Sequence, residues 1–371
     1  MKTQQIALGM AVAAMIALVC AMIWTPRSWA QSATHSATHS APPSTLQDVP
    51  QNGAPPATKQ QGQNTGPAKI QPPIQVTSRL VHLVATVTDR HRGLVTDLDK
   101  KDFKLTEDGV PQDIRFFERE TDLPLRIGLL LDTSNSIRNR LQFEQDAAVD
   151  FLHSVIRRNK DDEAFLMTFD NEPEVIQDYT NDVSELSDAV GRQRAGGGTA
   201  LNDAIVVAAA KLEKAPLTKG QTGAARRVLV VISDGDDNLS DHALSDAVAE
   251  AIRAEASIYA ISTNTEWLTA DTDTPEKYHL TDGDKVLEQF SELSGGRVFY
   301  PYKVEDLQQS FVDIGTELRS QYFIAYAPTN TANDGRYRKI DVEVDRKGLT
   351  VRTRKGYYAT APDANAAAPG K

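Results

Sequence analysis

Apolar runs alternate with amphipathic stretches through the middle of the chain. Short runs rich in Val, Ile and Leu have the length and composition of buried strands, and they span 127–131, 164–169, 228–232, 257–261 and 297–300. Between the first two runs, apolar residues recur at helical spacing and predict one buried helix face, made of Ile137, Leu141, Ala148, Phe151, Leu152 and Val155. Further helices are predicted over 200–212, 240–256, 284–293 and 304–319. This alternation predicts an α/β fold with a doubly wound, mostly parallel sheet that is covered on both faces.

Short β segments lie on either side of this α/β region. Three precede it, at 80–88, 102–109 and 112–118, and the last two are interpreted as a hairpin closed at Asp108-Gly109. Three follow it, at 322–327, 337–345 and 349–353, with Arg346-Lys347-Gly348 as a tight hairpin turn. Residues 76–121 and 321–360 are expected to pack together as a small β-sandwich-like domain into which the α/β domain, 122–320, is inserted. The alternative is two separate β appendages.

The two ends of the chain have different compositions from the rest. Residues 1–30 have the pattern of a cleaved export signal, with Lys2, an apolar stretch from 6 to 24 and a small-x-small ending at Ala30. An uncleaved anchor is the alternative, because that stretch approaches the about 20 residues that span a bilayer; membrane association is expected only in that case. Residues 31–75 and 361–371 are predicted to be a disordered linker and a disordered tail. The protein is therefore expected in the periplasm or outside the cell.

The composition argues against two classes of chemistry. The chain has 51 acidic and 40 basic residues, and its net charge of -11 repels phosphate backbones and attracts divalent cations. We therefore expect no nucleic-acid partner. The one cysteine, Cys20, lies inside the predicted signal, so the mature chain is expected to have neither a disulfide nor a thiol nucleophile.

Five oxygen-bearing side chains lie at the ends of predicted strands or at the start of a predicted helix. Asp132, Ser134 and Ser136 follow the first strand as Asp-x-Ser-x-Ser, Asp234 follows the third strand, and Thr199 follows three glycines. Ligands of parallel sheets bind beyond the carboxyl ends of the strands, so all five are expected at one rim. Oxygen ligands are those that Mg²⁺ prefers. Taken alone, Asp-x-Ser-x-Ser is also a common helix-capping pattern.

Three segments taken together resemble the loops of a von Willebrand factor type A domain with a metal-ion-dependent adhesion site. They are Asp132–Ser136, Gly197–Leu201 and Ser233–Asn238, and the resemblance extends from about 125 to 320. It implies a Rossmann-like fold for that region. Outside it, residues 102–109, 335–342 and 354–358 are similar to a bacterial family of exported proteins related to this domain.

The resemblance implies a role for each of the five side chains. Ser134 and Ser136 correspond to direct ligands of Mg²⁺, with Mn²⁺ or Ca²⁺ as alternative ions. Thr199 corresponds to a direct or water-mediated ligand. Asp132 and Asp234 correspond to carboxylates that act mainly through water.

Four neighbouring residues in these loops are interpreted separately. Asn135 stands where the family's motif usually has Gly, and because Asn tolerates left-handed backbone the loop is expected to keep its shape. Asp236, Asp237 and Asn238 are interpreted as solvated loop residues, with a second cation site as the alternative.

These features predict a binding protein rather than an enzyme. We expect it to capture an Asp or Glu of a partner protein through Mg²⁺. One alternative is a Mg²⁺-dependent hydrolase, but of the seven histidines only His242 adjoins the loops, on the helix predicted to follow, and no base is placed beside them. The other alternative is a structural or assembly subunit of the cell envelope. The partner and the oligomeric state are not determined by the sequence.

Overall fold

The computed structural model describes residues 80–119, 123–156, 161–215, 225–264, 280–301 and 304–360. The predicted export signal, linker and C-terminal tail lie outside these ranges. Within them, no helix is both long enough and apolar enough to cross a membrane.

The described residues form fourteen strands and six α-helices. The strands are β1 Val81–Thr88, β2 Phe103–Glu107, β3 Val110–Pro111, β4 Ile114–Arg119, β5 Leu125–Asp132, β6 Glu163–Phe169, β7 Pro173–Thr180, β8 Arg226–Ser233, β9 Ala256–Ser262, β10 Val298–Phe299, β11 Tyr322–Tyr326, β12 Tyr337–Val344, β13 Thr350–Arg352 and β14 Gly356–Tyr358. The helices are α1 Leu141–Ile156, α2 Val183–Gly191, α3 Leu201–Glu213, α4 Leu244–Arg253, α5 Asp282–Ser294 and α6 Val304–Arg319. All five strands and five helices predicted for the middle of the chain are present.

A six-stranded sheet with the strand order β10-β9-β8-β5-β6-β7 forms the centre of the molecule. Five of its strands are parallel, and β7 pairs antiparallel with β6 at one edge. Side chains of β5 alternate between the two faces: Leu129 and Leu131 join one core with α1, α2 and α6, while Leu130 joins the other core with α3, α4 and α5. The predicted doubly wound α/β fold is confirmed.

Strand β7 and helix α2 were not predicted from the sequence. No residue of β7 is buried, so this edge strand lacks the apolar run that identified the central strands. Its register with β6 also shifts twice, at Ala164/Leu166 and at Leu166/Met167. Helix α2 is capped by the preceding residue, Asp182, whose side chain accepts a hydrogen bond from the Ser184 amide at 2.8 Å.

Strands from both sides of the α/β region form two further sheets, with the orders β13-β1-β11-β4 and β14-β12-β2-β3. The first sheet contributes Leu83, Tyr322 and Ile324 to an apolar core that the second sheet completes with Phe103 and Ile340. Because β1 pairs with β11 and β2 pairs with β12, segments more than 200 residues apart meet in each sheet. We refer to these eight strands as the flanking unit.

The first predicted hairpin is wrong in its pairing. β2 does turn at Asp108-Gly109, where both residues have positive φ, but it returns only as the two-residue β3. One further hydrogen bond follows, from the Gln112 amide to the Leu105 carbonyl at 2.9 Å, and the ladder ends there. The chain then crosses to the other sheet, where β4 pairs with β11. Gln112 fixes the crossing, since its side-chain amide donates to the Val110 carbonyl at 3.1 Å and to the Thr329 hydroxyl at 3.0 Å.

The second predicted hairpin is also wrong. Strand β13 does not pair with β12 through the Arg346-Lys347-Gly348 turn; it pairs antiparallel with β1 in the other sheet. Arg346 instead contacts Asp97, with its Nη1 atom 3.1 Å from Oδ1. Alternation of apolar residues identified both strands correctly, but it carries no information on which sheet each strand joins.

A buried carboxylate on α6 connects the central sheet to the flanking unit. Glu317 is 1% exposed and accepts hydrogen bonds from Thr86 of β1 at 3.2 Å and from the Tyr259 hydroxyl of β9 at 2.6 Å. Two guanidinium groups neutralise it: Arg352 of β13 hydrogen-bonds one oxygen, and Arg297 lies 3.6 Å from the other. One side chain thus contacts strands from both parts of the molecule.

We predict that Glu317→Gln lowers the free energy of unfolding by about 3 kcal/mol, because it removes the buried carboxylate that faces two partly buried guanidinium groups. Urea denaturation measures this loss. Asp313→Asn is the matched control, since Asp313 contacts the same Arg297 at 3.8 Å but its side chain is 43% exposed, and it should cost less than about 1 kcal/mol. Equal losses for the two variants would show that Glu317 does not hold the units together.

Candidate metal centre

The first loop of the candidate site begins where β5 ends. Every residue of β5 is buried, and its last residue, Asp132, is fully buried. The Asp132 carboxylate accepts a hydrogen bond from the Ser134 amide at 2.8 Å on Oδ1 and from the Ser233 hydroxyl at 2.7 Å on Oδ2. Both oxygens are therefore held in place by neighbours of the same rim.

The two serines of this loop differ in their access to solvent. Their hydroxyl oxygens lie 2.9 Å apart, but Ser134 is buried whereas Ser136 is exposed. The loop thus leads from the buried carboxylate of Asp132 outward to the surface. Asn135 does not use the left-handed backbone that Asn tolerates; it begins a short 3₁₀ turn, Asn135–Ile137, so the loop needs no positive φ at that position.

The second loop carries Thr199 to the same rim. Gly197 has φ +81°, and a Cβ on Gly198 would lie 2.8 Å from the Asn238 side-chain oxygen that accepts the Thr199 amide, so both positions favour glycine for different reasons. Two backbone hydrogen bonds tie this loop to the first: Gly196 N donates to the Thr133 carbonyl at 2.8 Å, and Asn135 N donates to the Gly197 carbonyl at 3.3 Å. Thr199, 4% exposed, follows directly.

The third loop follows β8 and is fastened to the second. Asp234 is 6% exposed, and its Oδ1 accepts the Asp236 amide at 3.2 Å. Asn238 accepts the Thr199 amide on its side-chain oxygen and donates its own amide to the Thr199 carbonyl, both at 3.0 Å. Asp237 accepts the Asn202 amide at 2.7 Å. Asp237 and Asn238 therefore hold the loops together. The sequence had suggested only solvated loop residues at these positions.

Residues 127–236 match the family model of the von Willebrand factor type A domain, and this range contains all five predicted ligands. The chain contains a von Willebrand factor type A domain. Domains of this family generally serve as interaction modules rather than as enzymes. No curated protein sequence matches the chain.

Several solved structures are similar to the chain at low sequence identity. A von Willebrand factor type A protein from Catenulispora acidiphila is 13% identical, with 79% of this chain and 77% of that chain covered and a TM-score of 0.43. The conserved hypothetical protein BatB from Bacteroides thetaiotaomicron is 14% identical, with 52% and 97% covered and a TM-score of 0.40. The vWF domain of the type V pili tip protein Mfa5 from Porphyromonas gingivalis is 12% identical, with 53% and 95% covered and a TM-score of 0.40.

The carboxylates of this type A domain carry negative charge that no described cation offsets. Burial raises the pKa of Asp132 to about 6, the hydrogen bonds from Ser134 and Ser233 oppose that rise, and the charge of Asp234 adds to it. Neither Asp132 nor Asp234 forms an ion pair with any residue that the structure describes. Buried carboxylates are usually paired with cations or coordinate metals. The pair is thus suited to receive a positive ion.

The donor set fits a hard divalent cation. Two carboxylates and three hydroxyls offer only oxygen, which suits Mg²⁺, Mn²⁺ or Ca²⁺ rather than the softer transition metals. Asp132 uses both of its oxygens for hydrogen bonds to the protein, which is consistent with a carboxylate that acts through water. Among the described residues no group of three or more acidic, His or Cys side chains has the geometry of a metal site, as expected where hydroxyls supply most of the ligands.

Two residues that position the site were not recognised in the sequence. Ser233 donates to Asp132 and accepts the Gly235 amide at 3.0 Å, so it connects the first and third loops. Asn171, in the turn after β6, accepts the Gly198 amide at 2.9 Å. Ser233 directly precedes Asp234 and lies at the end of a buried strand, which is a signal that its side chain stays inside. Asn171 carries no comparable signal.

We predict that Ser233→Ala lowers the free energy of unfolding by about 1–3 kcal/mol, because it leaves an oxygen of Asp132 and the Gly235 amide without their partner. Chemical denaturation of the metal-free protein measures the change. Thr263→Val is the matched control: the Thr263 hydroxyl is buried beside β8 but has no hydrogen-bond partner among the described residues. Its replacement should be close to neutral, and a larger loss for Thr263→Val than for Ser233→Ala would contradict this account.

Proposed function

We propose that this domain binds Mg²⁺ at its rim and uses the ion to capture an acidic group of a partner protein. The ligands are Asp132, Ser134, Ser136, Thr199 and Asp234, and Mn²⁺ or Ca²⁺ are alternative ions. The observation that carries the proposal is the meeting of three cross-linked loops in which two buried carboxylates lack any described cationic partner. The match of the same region to the type A family supports it.

The chemistry of the donors favours capture of an anion. When bound, Mg²⁺ supplies positive charge to which a carboxylate of a partner is attracted. Hydroxyl ligands are neutral, so Ser134, Ser136 and Thr199 hold a cation without cancelling its charge. Ser136 is exposed whereas Asp132 is not, so an incoming group has access from the serine side. Because the chain is acidic overall, it repels an acidic partner unless a bound cation attracts that partner.

The surroundings of the hydroxyls favour binding over hydrolysis. A nucleophilic serine needs an adjacent base, but the Ser134 hydroxyl contacts that of Ser136. The sequence placed His242 on the predicted helix, but it precedes α4. Its ring nitrogen Nδ1 lies 2.8 Å from the Oδ1 atom of Asp203. That hydrogen bond raises the pKa of His242, so this imidazole is a poorer base at neutral pH than a free one.

We further propose that the protein acts after export, in the periplasm or outside the cell. The sequence of residues 1–30 supports this, since it has the charge, apolar length and small-x-small ending of an export signal. The same location suits an assembly subunit of the envelope, in which the captured carboxylate belongs to a neighbouring structural protein.

We predict that the wild-type protein binds Mg²⁺ and Mn²⁺ and that Asp132→Asn loses this binding. Isothermal titration calorimetry measures it, and circular dichroism checks that the variant keeps its fold. Asp146→Asn is the matched control, because it removes the same charge from an exposed position on α1, outside the three loops. Unchanged affinity in Asp132→Asn would overturn the site assignment.

Capture of an acidic group is tested with immobilised protein and envelope extracts. We expect proteins to be retained with Mg²⁺, released by EDTA and not retained by Asp132→Asn. Extracts whose carboxyl groups have been amidated with glycinamide should lose the retained proteins, whereas extracts with acetylated lysines should keep them. Retention that survives amidation would contradict acidic-group capture, and turnover of phosphoester, peptide or glycoside substrates would favour the hydrolase.

A further inference from the structure

Glu144 is a buried acidic residue whose two carboxyl oxygens both lack a hydrogen-bond partner among the described residues. It lies in the first turn of α1, on the helix face that also carries Leu141, Ala147 and Ala148 into the core against the sheet. The next residue, Gln145, is also buried but donates its amide to the Val190 carbonyl at 2.7 Å. A buried polar side chain at this point of the helix can therefore form a hydrogen bond, but the Glu144 carboxyl forms none with the described residues.

The position of Glu144 places it behind the metal centre. β5 runs toward Asp132, and α1 begins shortly after the 3₁₀ turn that follows Asp132, so the first turn of α1 is level with the rim. The charges that act on Glu144 are those of Arg140, which precedes α1, and of Asp132 and Asp234. Burial raises the pKa of Glu144 to about 8; Arg140 opposes the rise, and the two aspartates add to it.

Glu144 is not a sixth ligand. Its carboxyl does not converge with those of Asp132 and Asp234, since within the described ranges no three such groups form a metal-binding cluster. The Glu144 carboxylate would instead attract a bound cation electrostatically across the protein interior, where such interactions are stronger than in water.

We propose that Glu144 is a positioning residue of the metal centre, whose ionised carboxyl strengthens divalent-cation binding from behind Asp132 and Asp234. The inference rests on the proposed metal site. Without a cation, the two aspartates repel a charge on Glu144. With one bound, that repulsion is offset, so ionisation of Glu144 and cation binding favour each other.

Glu144→Gln tests this, because it keeps the shape of the side chain and removes its charge. We expect the Mg²⁺ dissociation constant of the variant, measured by calorimetry, to be about tenfold higher than that of the wild type at pH 9. Near pH 6.5, where Glu144 of the wild type is protonated, the two should differ little. Asp146→Asn is the matched control: it removes the same charge from an exposed position on the same helix and should change the affinity at neither pH.

Thermal unfolding in EDTA separates this role from a structural one. A folded-state pKa raised from 4.5 to about 8 means that the wild type loses stability as the pH rises through that window. The neutral variant lacks this loss, so metal-free Glu144→Gln should melt above the wild type at pH 9 and close to it at pH 5. A purely structural role predicts a lower melting temperature for the variant at both pH values.

Equal Mg²⁺ affinities of the wild type and Glu144→Gln at pH 9, with binding lost in Asp132→Asn, would overturn this inference and leave the proposed metal site intact. A lower melting temperature of Glu144→Gln at pH 9 in EDTA would also overturn it. A wild-type protein that binds no divalent cation would overturn both proposals.

Discussion

Burial of the Asp132 carboxylate at the end of a central strand is the constraint on which the rest of the site depends. β5 pairs with β6 on one side and with β8 on the other, so the end of β5 cannot shift without breaking both ladders. The carboxylate is held there by one donor from its own loop and one from the end of β8. The negative charge of the Asp132 carboxylate is thus fixed at a rigid edge of the sheet. The adjoining loops place the hydroxyl groups of Ser134, Ser136 and Thr199 at the same edge.

Glu317 and the two aspartates of the rim are buried carboxylates with contrasting surroundings. Glu317, which connects the central sheet to the flanking unit, receives two guanidinium groups and two hydrogen bonds from hydroxyls. Asp132 and Asp234 receive hydrogen bonds but no cation from the described residues. Since a buried charge opposes folding unless it is compensated, the first arrangement serves structure and the second leaves charge available for an ion from solution. The lack of a described cationic residue at the point where three cross-linked loops bring hydroxyl groups together is the main physical argument for a metal site.

The sequence predicted the central fold well because buried parallel strands and amphipathic helices have strong, local patterns. The five candidate ligands were proposed from the same patterns: they lie shortly after an apolar strand or before a helix, and a parallel sheet brings such positions to one edge. The edge strand β7 was missed because solvent-facing strands have no apolar run. Pairing in the flanking unit was mispredicted because β4 pairs with a strand, β11, about 200 residues away, and the contact of Gln112 with Thr329 that fixes this crossing is also distant in sequence. Ser233 was missed because its partner, Asp132, lies on another strand, and Glu144 was missed because only the folded chain shows that its carboxyl is buried.

The central claim is tested most directly by where a cation binds in crystals of this protein. Anomalous scattering from crystals soaked in Mn²⁺ locates the ion without assumptions about its ligands. The account predicts one peak at the rim, about 2 Å from the hydroxyl oxygens of Ser134 and Ser136 and near Thr199, and no such peak in Asp132→Asn crystals. A peak elsewhere with the rim empty, or an unchanged peak in the variant, would contradict it.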